Sequence, residues 1–294
     1  MNPLRFFTLP EYFFNPRQVI RRFFRGNFTN TPLETDVRLP WNAVVTVCTK
    51  EALGYDLYLH GIYDKVVPET LWRLLDRGET AVDVGANIGQ NTSLMAYRSG
   101  AAGKVISFEP HPEILAELHT NQQRWDSSYA PIVIHPVALG AEEREDTIAN
   151  EGGRWDRAAS KLQSTQQTAA GFPVNVRRLD DYLSDVPAVG VMKIDVEGFE
   201  LGVVQGASKT LLKGKIRDIV FEDFNPQPSA VSLELQRYGF YLFALQPSWL
   251  RPHLRELSLP RTTPGFSCNY LATLDPARAI QRFAAPGWRC LMGF

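Results

Sequence analysis

The sequence predicts an α/β fold, a doubly wound and mostly parallel sheet with helices on both faces, and three observations lead there. The first is Ala81-Val82-Asp83-Val84-Gly85-Ala86-Asn87-Ile88-Gly89, a short apolar run that ends in a carboxylate and breaks into a glycine turn. The second is Ser107-Phe108-Glu109-Pro110, another apolar run closed by an acid. The third is the rhythm downstream, where short β-branched runs alternate with segments of helical length. Strand, glycine turn, helix, second strand and terminal acid is the order in which such domains build an adenosine site.

In chain order, residues 1 to about 35 stand apart. Phe6, Phe7, Tyr12, Phe13, Phe14, Phe23 and Phe24 alternate with Arg5, Arg17, Arg21, Arg22 and Arg25. The stretch reads as a helical arm whose aromatics pack on the main domain, with an interfacial segment or substrate lid as the alternative. Residues 36–66 alternate like paired strands, with Ala43–Val47 and Tyr55–Leu59 as the rungs. A helix around 68–77, closed by Gly78, leads into the first core strand at 80–84. Further strands are expected near 104–109, 131–136, 189–195, 217–222, 240–245 and 269–274, and helices over 89–99, 112–124, 199–213 and 229–238. Apolar strands alternating with helices form a sheet buried on both faces. Residues 141–173 break the rhythm, being polar and holding Gly152-Gly153, and read as a mobile loop or a small hairpin at the site's edge. The expected organisation is an arm and hairpin over 1–66, a main domain over 67–280 and a tail over 281–294.

A net charge of −1 over 294 residues disfavours non-specific nucleic-acid binding. Cys48, Cys268 and Cys290 are widely separated and odd in number, which argues against a disulfide framework or a structural zinc site. No apolar run approaches the roughly 18 residues that span a bilayer, and Pro10, Pro16 and charged residues interrupt any leader-like segment. The expectation is a cytoplasmic protein with no nucleic-acid partner and no transmembrane segment. The basic, aromatic arm leaves peripheral membrane contact open, and oligomeric state is not legible.

Gly85 and Gly89 are expected to let the backbone turn tightly against a ligand. Asp83 would accept from a ligand amine or a water, Asn87 would support the turn or the ligand, and Glu109 would take a cis-diol. The backbone around Ala138, in Pro136-Val137-Ala138-Leu139-Gly140, would meet an adenine ring. A dinucleotide normally needs the fuller Gly-x-Gly-x-x-Gly turn to seat its pyrophosphate. Position 87 is Asn, so S-adenosylmethionine is favoured as the cofactor.

A second acidic block, Lys193-Ile194-Asp195-Val196-Glu197-Gly198-Phe199-Glu200, closes the strand near 189–195 on the same sheet edge. Asp195, with Glu197 and Glu200 close by, can orient an acceptor hydroxyl or take its proton. Asp195 as a helix cap is the structural alternative. Glu222 and Asp223 add acids to the rim. Such a group can hold a divalent cation, but acids of this kind more often stay solvated or pair with arginines such as Arg177 and Arg178, so no metal is expected. His111 and His119 read as surface residues, and His60 and His135 as structural ones with a general-base role as the alternative.

The blocks Val82–Gly89, Phe108–Pro110, Ala138–Gly140 and Lys193–Glu200 followed by Gly206, in this order and spacing, resemble the FkbM family of S-adenosylmethionine-dependent methyltransferases. The resemblance covers about Gly61 to Leu245. It implies a class I methyltransferase, Rossmann-like fold: a seven-stranded, mostly parallel sheet whose last strand is antiparallel. It also implies O-methylation of a saccharide or natural-product hydroxyl, a small-molecule or glycan acceptor. By position it places Asp83, Gly85, Asn87, Gly89 and Glu109 at the cofactor and Asp195 with Glu197 near the transferred methyl. An NAD-dependent oxidoreductase on a similar sheet and a non-catalytic adenosyl-binding protein are the alternatives, since fold alone separates none of these.

Overall fold

The computed structural model describes residues 10–17, 32–149, 161–163, 171–257 and 268–292. In chain order the strands begin with β1 (Glu34–Arg38), β2 (Val44–Cys48), β3 (Thr80–Val84), β4 (Lys104–Phe108) and β5 (Ile132–His135). Next come β6 (Ala138–Leu139), β7 (Arg144–Ala149), β8 (Lys161–Gln163) and β9 (Phe172–Arg177). The last are β10 (Val189–Ile194), β11 (Ile216–Glu222), β12 (Tyr241–Gln246), β13 (His253–Glu256) and β14 (Asn269–Thr273).

The main sheet has eight strands in the order β13-β12-β14-β11-β10-β3-β4-β5. From β11 to β5 all neighbours are parallel, while β14 runs antiparallel to both β11 and β12. All seven expected core strands form. The eighth, β13, folds back on β12 at the outer edge. Its side chains are mostly exposed, so no apolar alternation marks it.

Strand periodicity sorts the side chains into two apolar layers. Ala81, Val105, Val191 and Val220 point into one, against helices Ala52–His60, Val66–Leu74, Gln90–Ser99 and Pro276–Ala284. Val82, Val84, Ile106, Met192, Ile194 and Ile219 point into the other, against Glu200–Gly206, Ser208–Leu212 and Ala230–Arg237. The single helix expected over 199–213 breaks at Ala207. The cause is Asp180, whose carboxylate accepts the backbone N–H groups of Lys209 and Thr210 at 2.9 and 2.8 Å and so supplies a fresh helix start.

Tyr55–Leu59 is not a strand. It lies within the helix Ala52–His60, which buries Gly54, Leu57 and Tyr58 at i, i+3 and i+4. Five residues fit either period, and the expected partner of Ala43–Val47 is instead Glu34–Arg38. The β1–β2 hairpin joins the first apolar layer. Trp41 Nε1 donates to Ser93 Oγ at 3.0 Å, Tyr129 Oη to the Trp41 carbonyl at 2.6 Å and Trp125 Nε1 to the Val44 carbonyl at 3.1 Å.

The 141–173 segment supplies β7 and β8; β7 pairs antiparallel with β8 and β9, and β6 runs parallel to β9, forming a small second sheet. Gly152-Gly153 lies outside the described residues, as do Phe6, Phe7, Phe23, Phe24, Arg5, Arg21, Arg22 and Arg25 of the arm. The described part of the arm, the helix Pro10–Phe14, is tied by Glu11 to Lys65 at 2.7 Å and sets Phe13 and Phe14 against Trp249. No helix among the described residues is long and apolar enough to cross a membrane.

Candidate active site

The C-terminal ends of β3, β4, β10 and β11, with the start of antiparallel β14, open on a cavity of about 310 Å³. Sheet order gives it two ends. At the β4 end the wall is Gly85–Ile88, Phe108, Glu109, His111 and Val137–Leu139; at the β11 end it is Tyr63, Asp64, Asp195, Glu197, Glu222 and Asn269.

Glu109 is 6 % exposed and accepts two backbone N–H groups, Asn87 at 2.8 Å on Oε2 and His111 at 2.9 Å on Oε1. Burial pushes its carboxyl up to about 7 against those two hydrogen bonds. Asn87 takes φ 51° and closes its own turn, with Oδ1 accepting the Ile88 N–H at 2.7 Å. Ala138, in β6, is buried against the cavity beside Val137 and Leu139.

Both glycines are required by the protein's own packing, and Gly85 also lies on the cavity wall. A Cβ on Gly85 would overlap the Asp195 carbonyl oxygen, and one on Gly89 would come within 2.7 Å of Leu118 and Trp125. Both have positive φ, 77° and 99°.

Asp83 is not on the wall. It is fully buried beneath it, accepting from Thr92 Oγ1 at 2.6 Å and lying 3.4 Å from Lys193 Nζ, so no ligand amine reaches it. Parallel register explains the pair, because Asp83 stands beside Lys193 on one side and Ser107 on the other. Lys193, unassigned in the sequence, is 4 % exposed, donates to the Gly85 carbonyl at 2.7 Å and lies 3.3 Å from Asp195 Oδ2. The signal for it was present: a lysine inside an otherwise apolar strand, at the same distance from the strand end as Asp83 from its own.

The acids divide. Asp195 does not cap a helix. It follows β10 directly, donates its N–H to the Val84 carbonyl at 3.1 Å and faces the cavity with its side chain 41 % exposed. Glu197 takes φ 52° on the same loop. Glu200 turns away from the cavity and accepts the Val196 and Gly198 N–H groups at 3.3 and 3.1 Å, holding that loop. Asp223 also turns away, into hydrogen bonds from Asn225 and Gln227. Arg178 pairs with Asp180 and Arg177 bonds Asn175, so neither serves the rim acids.

Burial and then the charge of Asp195 push Glu222 up to about 7, and its Oε1 accepts from Cys268 Sγ at 3.1 Å. Asp64, missed in the sequence, is pushed up by burial and accepts from Asn269 Nδ2 at 2.6 Å. Asp195, Glu197 and Glu222 bring one carboxylate oxygen each within 4.8 Å of one another, a spacing that a divalent cation also accepts.

His111 is not a surface residue. It is 1 % exposed, because the N–H bond to Glu109 turns it inward and Phe172 covers its ring at 4.9 Å. His119 is exposed as expected. His60, beside Asp56 at 3.5 Å, and His135, stacked on Phe108, lie outside the cavity wall.

The family described as methyltransferase FkbM domain matches residues 83–242, more than half of the chain. The chain belongs to the FkbM methyltransferase family. The matched span contains Asp83, Gly85, Asn87, Gly89, Glu109, Ala138, Asp195 and Glu197. Among similar proteins, Methyltransferase 1 of Beauveria bassiana is 26 % identical over 199 residues, 60 % of this chain and 78 % of the relative. Hexuronic acid methyltransferase AglP of Haloferax volcanii is 28 % identical over 159 residues, 49 % of this chain and 62 % of the relative, so the chain spans less than two thirds of it. Solved structures with a similar fold include a precorrin-6y C5,15-methyltransferase from Geobacter metallireducens (13 % identity, TM-score 0.40, 71 % of this chain and 87 % of that one). A SAM-dependent O-methyltransferase from Thermotoga maritima is another (16 % identity, TM-score 0.39, 72 % and 65 %).

Proposed function

We propose that this FkbM-family methyltransferase moves a methyl group from S-adenosylmethionine to a hydroxyl of a saccharide. The observation that carries the reading is a single cavity running from the buried Glu109 carboxylate to the carboxylates at the ends of β10 and β11. When bound, S-adenosylmethionine supplies an electrophilic methyl group on a sulfonium centre. Each Glu109 oxygen accepts one N–H and keeps a lone pair for a ribose hydroxyl. The apolar Val137–Leu139 wall suits a flat ring. At the other end Asp195 accepts the proton of the acceptor hydroxyl, and Glu222, raised to about 7, can hold a proton near neutral pH. Alignment and deprotonation are the protein's contributions.

The AglP relative is described as acting on a hexuronic acid, which favours a sugar acceptor. Asp64, Asp195, Glu197 and Glu222 outnumber Lys193, the one lysine or arginine on the wall among the described residues, and that ammonium is already paired with Asp195 and Asp83. A neutral saccharide therefore fits better than a uronate. The test is incubation with methyl-labelled S-adenosylmethionine and a panel of neutral hexosides, amino sugars and hexuronides, read by mass spectrometry. Label should enter a neutral saccharide, with hexuronides at least about tenfold slower. Calorimetry should show binding of S-adenosylhomocysteine and not of NAD; binding of NAD alone would sink the reading.

Glu109 makes cofactor affinity depend on pH. Its ionised form accepts from both hydroxyls of a diol and its neutral form from one, so the Kd of S-adenosylhomocysteine should be flat above about pH 7 and rise below it, by up to about tenfold per pH unit. Fold stability should move the other way. Between the ordinary 4.5 and about 7 the folded protein holds a proton that the unfolded chain has released. Stability of the ligand-free protein therefore falls with rising pH across that window, by on the order of 3 kcal/mol. Melting curves of wild type and Glu109→Gln check this, since the variant should lose that slope.

A further inference from the structure

Lys193 lines the cavity where its cofactor end meets its acceptor end. Every residue of β10 is buried, and Lys193 is its one charged member. Its ammonium donates to the Gly85 carbonyl at 2.7 Å, lies 3.4 Å from Asp83 Oδ1 and 3.3 Å from Asp195 Oδ2. The Gly85 contact is a hydrogen bond and the two carboxylates are ion-pair contacts on either side of it. A core ion pair would need only Asp83, yet Gly85, Asp195 and Lys193 itself all belong to the cavity wall. The register that sets Lys193 beside Asp83 thus brings one positive charge up under the glycine turn and under the carboxylate of the transfer end.

We propose that Lys193 is the positioning residue of this site, fixing the Gly85 turn through its carbonyl and holding Asp195 aimed at the transferred group. The proposal rests on the methyltransferase reading above. Burial by itself would pull the ammonium down, but Asp195 and Asp83 outweigh it and hold the group above its ordinary range, so the charge is permanent. Two consequences follow. The turn loses a buried donor when Lys193 is removed, which loosens the cofactor's seat. The sulfonium end also loses a nearby positive charge, which changes the preference between a cationic and a neutral ligand of the same shape.

The experiment uses S-adenosylmethionine and S-adenosylhomocysteine as that pair, titrated by calorimetry into Lys193→Gln and Lys193→Arg, with circular dichroism and melting curves to report the fold. Lys193→Gln should weaken S-adenosylhomocysteine about tenfold and shift the ratio of the two affinities about tenfold toward the sulfonium. Lys193→Arg, which keeps the charge, should keep the ratio. Should Lys193→Gln leave Asp83 unpaired and fail to fold, the Lys193→Met/Asp83→Asn variant has no orphaned charge and should show the same loss of S-adenosylhomocysteine affinity. Asp195→Asn, on the cavity wall, should shift the ratio the opposite way by a similar factor. S-adenosylhomocysteine affinity within threefold of wild type in folded Lys193→Gln or Lys193→Met/Asp83→Asn overturns the proposal, as does an Asp195→Asn ratio within twofold. A wild-type protein that binds neither ligand removes the methyltransferase reading itself, a different and recognisable result.

Discussion

Replacing Arg73 by methionine is expected to lower the unfolding free energy by about 3–5 kcal/mol and the melting temperature by roughly 10 °C, with the cofactor affinity of the folded protein unchanged. Arg73 is 2 % exposed and Glu69, one helical turn before it, is 0 % exposed. The guanidinium donates to Glu69 Oε1 at 2.7 Å, to the carbonyls of Arg282 and Ala285 at 2.8 and 2.9 Å, and to that of Gly287 at 2.6 Å. Glu69 Oε2 in turn accepts the Cys290 N–H at 2.8 Å. The helix Val66–Leu74 is thereby bolted to the segment that follows Pro276–Ala284. Methionine would leave a carboxylate buried, which burial already pushes up against the pull of Arg73, and three carbonyls without their donor. The cost comes from the orphaned groups, so Arg73→Met with Glu69→Gln should recover part of it. Melting curves of the two variants check both statements. A single variant as stable as wild type would mean that water enters the gap and satisfies those groups.

The parts of this fold that could be read were those where one local pattern has one meaning. Apolar β-branched runs such as Ala81–Val84 and Val105–Phe108 are buried on both faces and have no helical rendering of equal quality. Tyr55–Leu59 failed because five residues with alternating polarity satisfy both periods, and packing against β2 decides between them. Among the acids, position along the chain placed Glu109 and Asp195 on the right edge but said nothing of side-chain direction. Glu200 and Asp223 sit as close in sequence and are spent on loop N–H groups. Asp64 and Asn269 meet across 205 residues, a contact made only by the antiparallel insertion of β14 beside β11. The meaning of Lys193 depends on its register beside Asp83, which the sheet alone supplies. A Cβ on Gly85 would meet the Asp195 carbonyl, a neighbour no local pattern announces, so the turn and the acidic loop are packed into one unit.

That packing makes Asp195→Asn the most informative change at the transfer end. It is expected to cut methyl transfer, measured in single turnovers with the saccharide the panel identifies, by about 10²–10⁴-fold. S-adenosylhomocysteine affinity should stay within about threefold, because the neutral thioether does not draw on the charge. Asparagine keeps the size of the side chain, and the backbone N–H bond to the Val84 carbonyl at 3.1 Å is untouched, so the loop stays in place. What is lost is a fixed negative charge and a proton acceptor, 3.3 Å from the Lys193 ammonium that holds it. Glu222 offers the competing assignment. It lies within 4.8 Å of Asp195, measured between carboxylate oxygens, and is raised to about 7 by burial and by that neighbour's charge. Removing the Asp195 charge would lower Glu222 toward its ordinary range and leave it a weaker base at neutral pH, so Asp195→Asn slows transfer under either assignment. Glu222→Gln separates them. If Asp195 takes the proton, Glu222→Gln keeps transfer within about tenfold of wild type and its rate is flatter between pH 6 and 8; if Glu222 takes it, Glu222→Gln is the slower of the two variants and added base restores it.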